Sequence, residues 1–447
     1  MNNSTVNRAF ALSAALVLAA GLGGCGVLGG KDKASTPTVG KRVPVLSRIE
    51  SGAKVDPALA SVAVVLPPAQ VNTEWAQVGG TAAKAAGHAA LSASPSRLWT
   101  ASIAGSNDKR RLAAAPVIGD GTLYAIDTDA VVYALDADTG RTRWTHRLQM
   151  DGDLRSSAFG GGVSFSNGRI YATNGVGEVA AMDAATGAEI WKVKPAGPLR
   201  GAPTLAFNAV FVMTQDNQIH ALSAADGAVL WQESGSLGQA SVFGVAAPAA
   251  GQGTVIAGYS SGELVAYRYE NGRTLWSDAL ARTSISTQVG TLTDVDADPI
   301  IDAGRVYALG QGGRMAAYEL VTGQRLWELN LAGISTPAIA GEWIFTLTDD
   351  ARLLAIARSS GKVRWVTQLK RWKDMEDRKG EIFYTGPVLA GDRLWIASSR
   401  GTLMWANVMD GSVGTYADLG SSVSLPPIVA NRTLYVLDDG GKISAYR

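Results

Sequence analysis

The sequence predicts an all-β fold, an eight-bladed β-propeller of four-stranded antiparallel blades. Three observations carry this: a Gly-to-Trp motif recurring every 40 to 50 residues or so, apolar alternation in short paired runs around each copy, and a proline at the head of most copies. The motif reads Thr139-Gly140 to Trp144, Thr186-Gly187 to Trp191, Asp226-Gly227 to Trp231, Asn271-Gly272 to Trp276, Thr322-Gly323 to Trp327 and Ser360-Gly361 to Trp365. A further copy, Asp410-Gly411, has Thr415 and Tyr416 where Trp is expected.

Each copy follows an alternating stretch such as Leu123-Tyr124-Ala125-Ile126, then a polar turn, then Val131-Val132-Tyr133-Ala134-Leu135. That pattern is one hairpin leading into another, with glycine in the tight turn before the fourth strand and Trp closing it. Pro116, Pro203, Pro248, Pro299, Pro337, Pro387 and Pro427 mark strand starts, where a missing N–H is tolerated. Because the tryptophans recur at one slot, they are read as packing between blades, each indole N–H reaching a partner at the blade edge. The last piece, from Pro427 to Arg447, supplies three strands, and Arg97-Leu98-Trp99-Thr100 supplies the missing outer one. The two ends together make a composite eighth blade and close the ring over 96–447, about 44 residues per blade.

Ahead of the ring, Arg8 precedes a small, apolar run from Ala9 to Leu22, of signal-peptide rather than membrane-spanning length. It ends in Leu22-Gly23-Gly24-Cys25, which resembles the lipobox of bacterial lipoproteins, cleaved before the cysteine and acylated on it. Residues 1–24 are therefore expected to be a lipoprotein signal peptide and Cys25, the only cysteine, the lipidation site. Two or more acyl chains suffice for stable anchoring. Gly26, in place of an aspartate, favours the outer membrane by resemblance to lipoprotein sorting rules. Residues 25–95 are read as an extended tether, either a plain spacer or a segment that folds against a partner, because from Val27 to about Asn72 they are rich in Lys, Pro, Ala and Val without sustained periodicity, apart from an apolar patch from Val62 to Leu66 ended by Pro67-Pro68.

The run Ala134-Leu135-Asp136-Ala137-Asp138-Thr139-Gly140-Arg141-Thr142-Arg143-Trp144 resembles the repeat of the pyrroloquinoline quinone (PQQ) dehydrogenases, which is shared with the BamB family of outer-membrane assembly lipoproteins. The lipobox, the ring with little added to it and Leu292-Thr293-Asp294-Val295-Asp296-Ala297-Asp298-Pro299 are similar to the BamB family in particular. The resemblance implies a non-catalytic scaffold that binds BamA from a lipid-anchored position facing the periplasm, with other assembly lipoproteins and nascent barrel proteins as further candidate partners. It also implies partner contact through Asp294 and Asp296 and a nearby Leu-x-Leu-Arg loop. Placed at Ala240-Ser241-Val242-Phe243, that loop lacks its Arg and leaves Val242 and Phe243 as apolar anchors. Taken on the residues alone, the acidic run is open to three readings: partner contact, a solvated turn, or a hard-cation site without the Gly and Glu of an EF-hand.

A longer connection, 368–380, carries Trp372 among mixed charges and reads either as a binding loop or as a salt-bridged surface loop. Formal net charge is only +1, with 40 basic and 39 acidic residues, so nucleic acid is not an expected partner. His88, His146 and His220 are widely spaced, no nucleophile elbow or phosphate loop is present, and the adjacent cysteines of the PQQ enzymes are missing, so no catalytic, cofactor or metal residue is assigned. The competing readings are a relative of the PQQ dehydrogenases and a propeller taking a cell-wall or peptide ligand in its central channel.

Overall fold

The structure, a computed structural model, describes residues 54–149, 160–236, 246–280 and 294–447. They form eight four-stranded antiparallel blades. Blade 1 runs Val117–Gly119, Thr122–Ile126, Val131–Asp136 and Thr142–Arg147; blades 2 to 7 follow at 161–193, 204–234, 249–279, 300–329, 338–368 and 384–418. Blade 8 combines Ile428–Ala430, Thr433–Leu437 and Lys442–Tyr446 with Arg97–Ser102 as its outer strand, as expected. Ser96 and Arg447 exchange backbone hydrogen bonds at this seam, at 2.6 and 2.8 Å.

The repeat has a packing reason. Trp276 of blade 4 lies over the turn of blade 5, where its Nε1 donates to the Leu320 carbonyl at 2.8 Å. Gly323 of that turn has φ +70°, and a Cβ there would stand 2.4 Å from Trp276 Cγ. Glycine is thus required twice over, by backbone conformation and by the indole lying on it. The arrangement recurs at every junction from Trp99 on Gly140 to Trp365 on Gly411. Blade 7 has Thr415 at this slot for a related reason. Its neighbour, blade 8, draws its third and fourth strands from opposite ends of the ring, so there is no glycine turn to cover. Six of the strand-heading prolines sit one residue before the first strand, whereas Pro387 lies inside Tyr384–Ala390 at a register shift.

Strand alternation gives the ring two faces. The glycine turns and the turns between first and second strands lie on one, called the turn face here. The turns between second and third strands and all connections between blades lie on the other, the connection face. First strands are apolar on both sides and contact one another around the centre, while outer strands alternate between exposed and half-buried.

The largest departure from the sequence reading concerns residues 55–95. They do not form a free tether up to residue 95; from Val55 onward the chain is laid against the ring. Val55 bridges Val363 and Asp56 pairs with Lys362 at 2.9 Å, both at the turn-face end of blade 6. Val64 then enters the core with Ala340, Trp343 and Phe345. From Asn72 the chain circles the centre in blade order along the free edges of the first strands. Asn72 meets Val429 and Asn431, Trp75 pairs with Ile118, and the Ala76 carbonyl accepts from Phe165 N. Gln77 makes two 2.9 Å bonds with Leu205, Ala82 and Ala83 accept from Ala250 and Ile301, and Ala89 pairs with Leu389 and Gly391. The turn closes on itself where Gln70 bridges Ala89, with Gln70 N on the His88 carbonyl and Ala90 N on that of Gln70.

Candidate functional site

The Asp-Val-Asp segment belongs to the connection between blades 4 and 5, on the connection face, and one arginine organises it. Arg200, from the connection between blades 2 and 3, is placed by backbone pairing of its N–H with Met213 and its carbonyl with Gly161. Its Nη2 donates to Asp294 Oδ1 at 2.8 Å and to Asp296 Oδ1 at 3.0 Å. The Arg200 and Asp294 side chains are each 1% exposed and that of Asp296 is 11% exposed. Between the two carboxylates Val295 points into the core of blades 4 and 5, and its N–H donates to the Tyr259 carbonyl. The Asp294 carbonyl accepts from Gln311 N at 2.9 Å.

Asp298, also buried, accepts from Ala247 N at 2.8 Å, while its own N–H donates to Thr336 Oγ1 at 3.0 Å. Burial, reinforced by the Asp294 carboxylate and partly offset by Arg200, pushes the Asp296 carboxyl up to about 6. Burial likewise raises Asp298 and lowers Lys84, a buried lysine on the inner segment whose charge opposes that of Asp298. The solvated-turn reading therefore fails for Asp294, whose carboxylate faces an arginine and not water. Of the two clamped carboxylates only that of Asp296 keeps an exposed edge. No grouping of three or more metal-ligating side chains occurs among the described residues.

Arg200 was not singled out from the sequence. The Leu-Arg pair that the structure brings beside the acidic loop is Leu199-Arg200, in Gly197-Pro198-Leu199-Arg200, one connection earlier than the place assigned at Ala240–Phe243. Val242 and Phe243, like Cys25, lie outside the described residues. The available signal was the Leu-Arg dipeptide standing just ahead of Pro203, at the head of blade 3.

Trp372 lies on the same connection face, in a two-stranded hairpin of Trp372–Asp374 and Lys379–Glu381 between blades 6 and 7. Arg371 stacks on its ring at 5.1 Å and holds Glu381 at 3.1 Å, so Trp372 is half-buried beneath a guanidinium. The hairpin and its base expose Met375 and Phe383, each 58% accessible. Phe383 borders a groove with Ile334, Leu347 and Tyr384. Ion pairs brace the loop, and exposed apolar side chains stand around it.

Sequence and fold comparisons agree on the lineage. The family described as outer membrane protein assembly factor BamB matches residues 86–157 and 128–367. A BamB of Salmonella typhimurium is 31% identical over 355 residues, covering 78% of this chain and 88% of that protein. The crystal structure of BamB from Moraxella catarrhalis superposes with a TM-score of 0.65 at 19% identity, over 79% of this chain and 99% of that one. A quinohemoprotein alcohol dehydrogenase from Comamonas testosteroni gives the same TM-score at 15% identity, over 90% of this chain and 84% of its own, so the ring architecture by itself is common to enzymes and assembly factors. With the family match spanning most of the blades and a relative above 30% identity over most of the chain, this protein belongs to the outer membrane protein assembly factor BamB family.

Proposed function

We propose that this protein is a non-catalytic scaffold of the machinery that inserts β-barrel proteins into the outer membrane, held there through acylated Cys25 and facing the periplasm. Its partner is BamA, engaged on the connection face; other assembly lipoproteins and nascent barrel proteins are further candidates for the same surface. The observation that carries the reading is the clamp of Arg200 on Asp294 and Asp296, which holds a family-resembling loop in one shape on the face that also bears the Trp372 hairpin. A preformed loop loses little conformational freedom on docking, which suits a scaffold.

The test is affinity purification from detergent-solubilised membranes, comparing the native chain with Asp296→Arg and with Trp372→Ala. Asp296 is the better probe because it reaches the surface, whereas a change at Asp294 would disturb the interior. Co-purification of BamA that weakens with Asp296→Arg while the protein stays folded supports the reading. Absence of BamA from the native preparation as well as from the two variants, with the protein folded and anchored, removes it.

A further inference from the structure

The centre of the ring holds part of the chain itself, and the course of that segment is unlike a linker. Residues 70–91 make one turn around the channel and visit the blades in sequence order: 8 at Asn72, 1 at Trp75, 2 at Ala76, 3 at Gln77, 4 at Ala82, 5 at Ala83 and 7 at Ala89. Blade 6 is met just before, where Val64 joins the apolar cluster that contains Ala340 and Leu66 packs at its margin. At blades 8, 1, 2, 4, 5 and 7 the contacts are backbone to backbone, made at or beside the edge of the first strand that its own sheet leaves unpaired, and at blade 3 the Gln77 carboxamide takes the place of a peptide group. Trp75, Gln77, Lys84, His88 and Ala89 are all buried. The composition fits the space: from Gly79 to Ala90 only Thr81, Lys84 and His88 are larger than alanine, and a Cβ on Gly80 would come within 3.0 Å of Ala86. His88 pins the end of the turn, its Nδ1 at 2.8 Å from the Pro67 carbonyl and its Nε2 accepting from Asp392 N at 3.1 Å. The family match starts at residue 86, so most of this turn precedes it.

We infer that the inner edges of the blades form a backbone-recognising site for an extended polypeptide, and that its resident ligand is this chain's own residues 70–91. An unpaired strand edge binds any extended chain that can lie along it, because the recognition is through main-chain hydrogen bonds. Supplying that chain in cis occupies the edges of seven of the eight blades and closes the channel from the turn face. It also joins blades that would otherwise hold to one another only through neighbouring pairs. The channel is then not a site for a cofactor or a free peptide, and the connection face is left as the recognition surface.

The experiment uses amide hydrogen exchange on the full chain and on a variant lacking residues 54–91, with a fluorescent synthetic peptide of residues 68–92 as probe. In the full chain, the amides of Ile118, Ala250, Ile301 and Gly391 exchange as slowly as the blade cores, and the peptide does not bind. In the shortened chain those amides exchange at least about tenfold faster, the peptide binds, and its binding restores their protection. If the shortened chain does not fold, the double variant Trp75→Ala, Gln77→Ala in the full chain takes its place, with faster exchange at Ile118 and Leu205 expected. Unchanged exchange in the variant, or equal peptide binding by full and shortened chains, overturns the inference.

Discussion

Replacing Arg200 by methionine tests the electrostatic account of the acidic loop most directly. The substitution keeps an unbranched apolar stem in a site that is 1% exposed but removes the guanidinium that Asp294 and Asp296 share. Breaking a buried ion pair by deleting one partner costs about 3–5 kcal/mol, because the remaining charge is left without compensation. The remaining carboxylates can relieve this by taking a proton, and Asp296 already sits near 6 with the guanidinium present. The penalty is therefore largest at pH 8 and shrinks by about 1.4 kcal/mol for each pH unit through which a carboxylate becomes protonated. Urea unfolding at pH 8 and pH 5 reads both quantities, and hydrogen exchange at residues 294–298 shows whether the loop opens. A loss under about 1 kcal/mol at pH 8, with no difference at pH 5, would refute the clamp.

Three other outcomes are expected. Gly323→Ala places a methyl against the Trp276 indole at a left-handed backbone position, with an expected loss of about 2–4 kcal/mol, while alanine at Gly304, where nothing stands within 4 Å but φ is +72°, is expected to lose only about 1 kcal/mol; thermal unfolding distinguishes the two. In the native protein Asp296 is raised from 3.8 to about 6, so its protonated form is favoured by folding: its contribution is complete below pH 4 and is lost as the pH rises to 6, and Asp296→Asn flattens that part of the stability profile. Cys25→Ser moves the protein from the membrane fraction to the soluble periplasmic fraction, as read by cell fractionation; retention in the membrane would count against the acyl anchor.

How much of this was legible in the sequence depended on whether the signal was local. The glycine turn and its tryptophan are four residues apart, and repetition made one ambiguous hairpin into a countable blade, so the eight-bladed ring and its composite closure could be read directly. Even the departure at Thr415 followed the logic of the repeat, since the glycine turn it would cover does not exist in blade 8. The acidic loop was visible as a motif, but its partner was not. Arg200 stands 94 residues from Asp294, and only the curvature of the ring brings them to 2.8 Å, which is why no local pattern pointed to it.

The segment 70–91 marks the boundary between the two kinds of information. Its sequence has the small residues and absent periodicity of a spacer, because a chain that binds through its backbone in a narrow channel needs no alternating apolar face. Local sequence by itself determined the blades, their number and the order in which they close. Only the tertiary structure decided what fills the centre and what holds the acidic loop, since both depend on strand edges and charges that become neighbours when the ring forms.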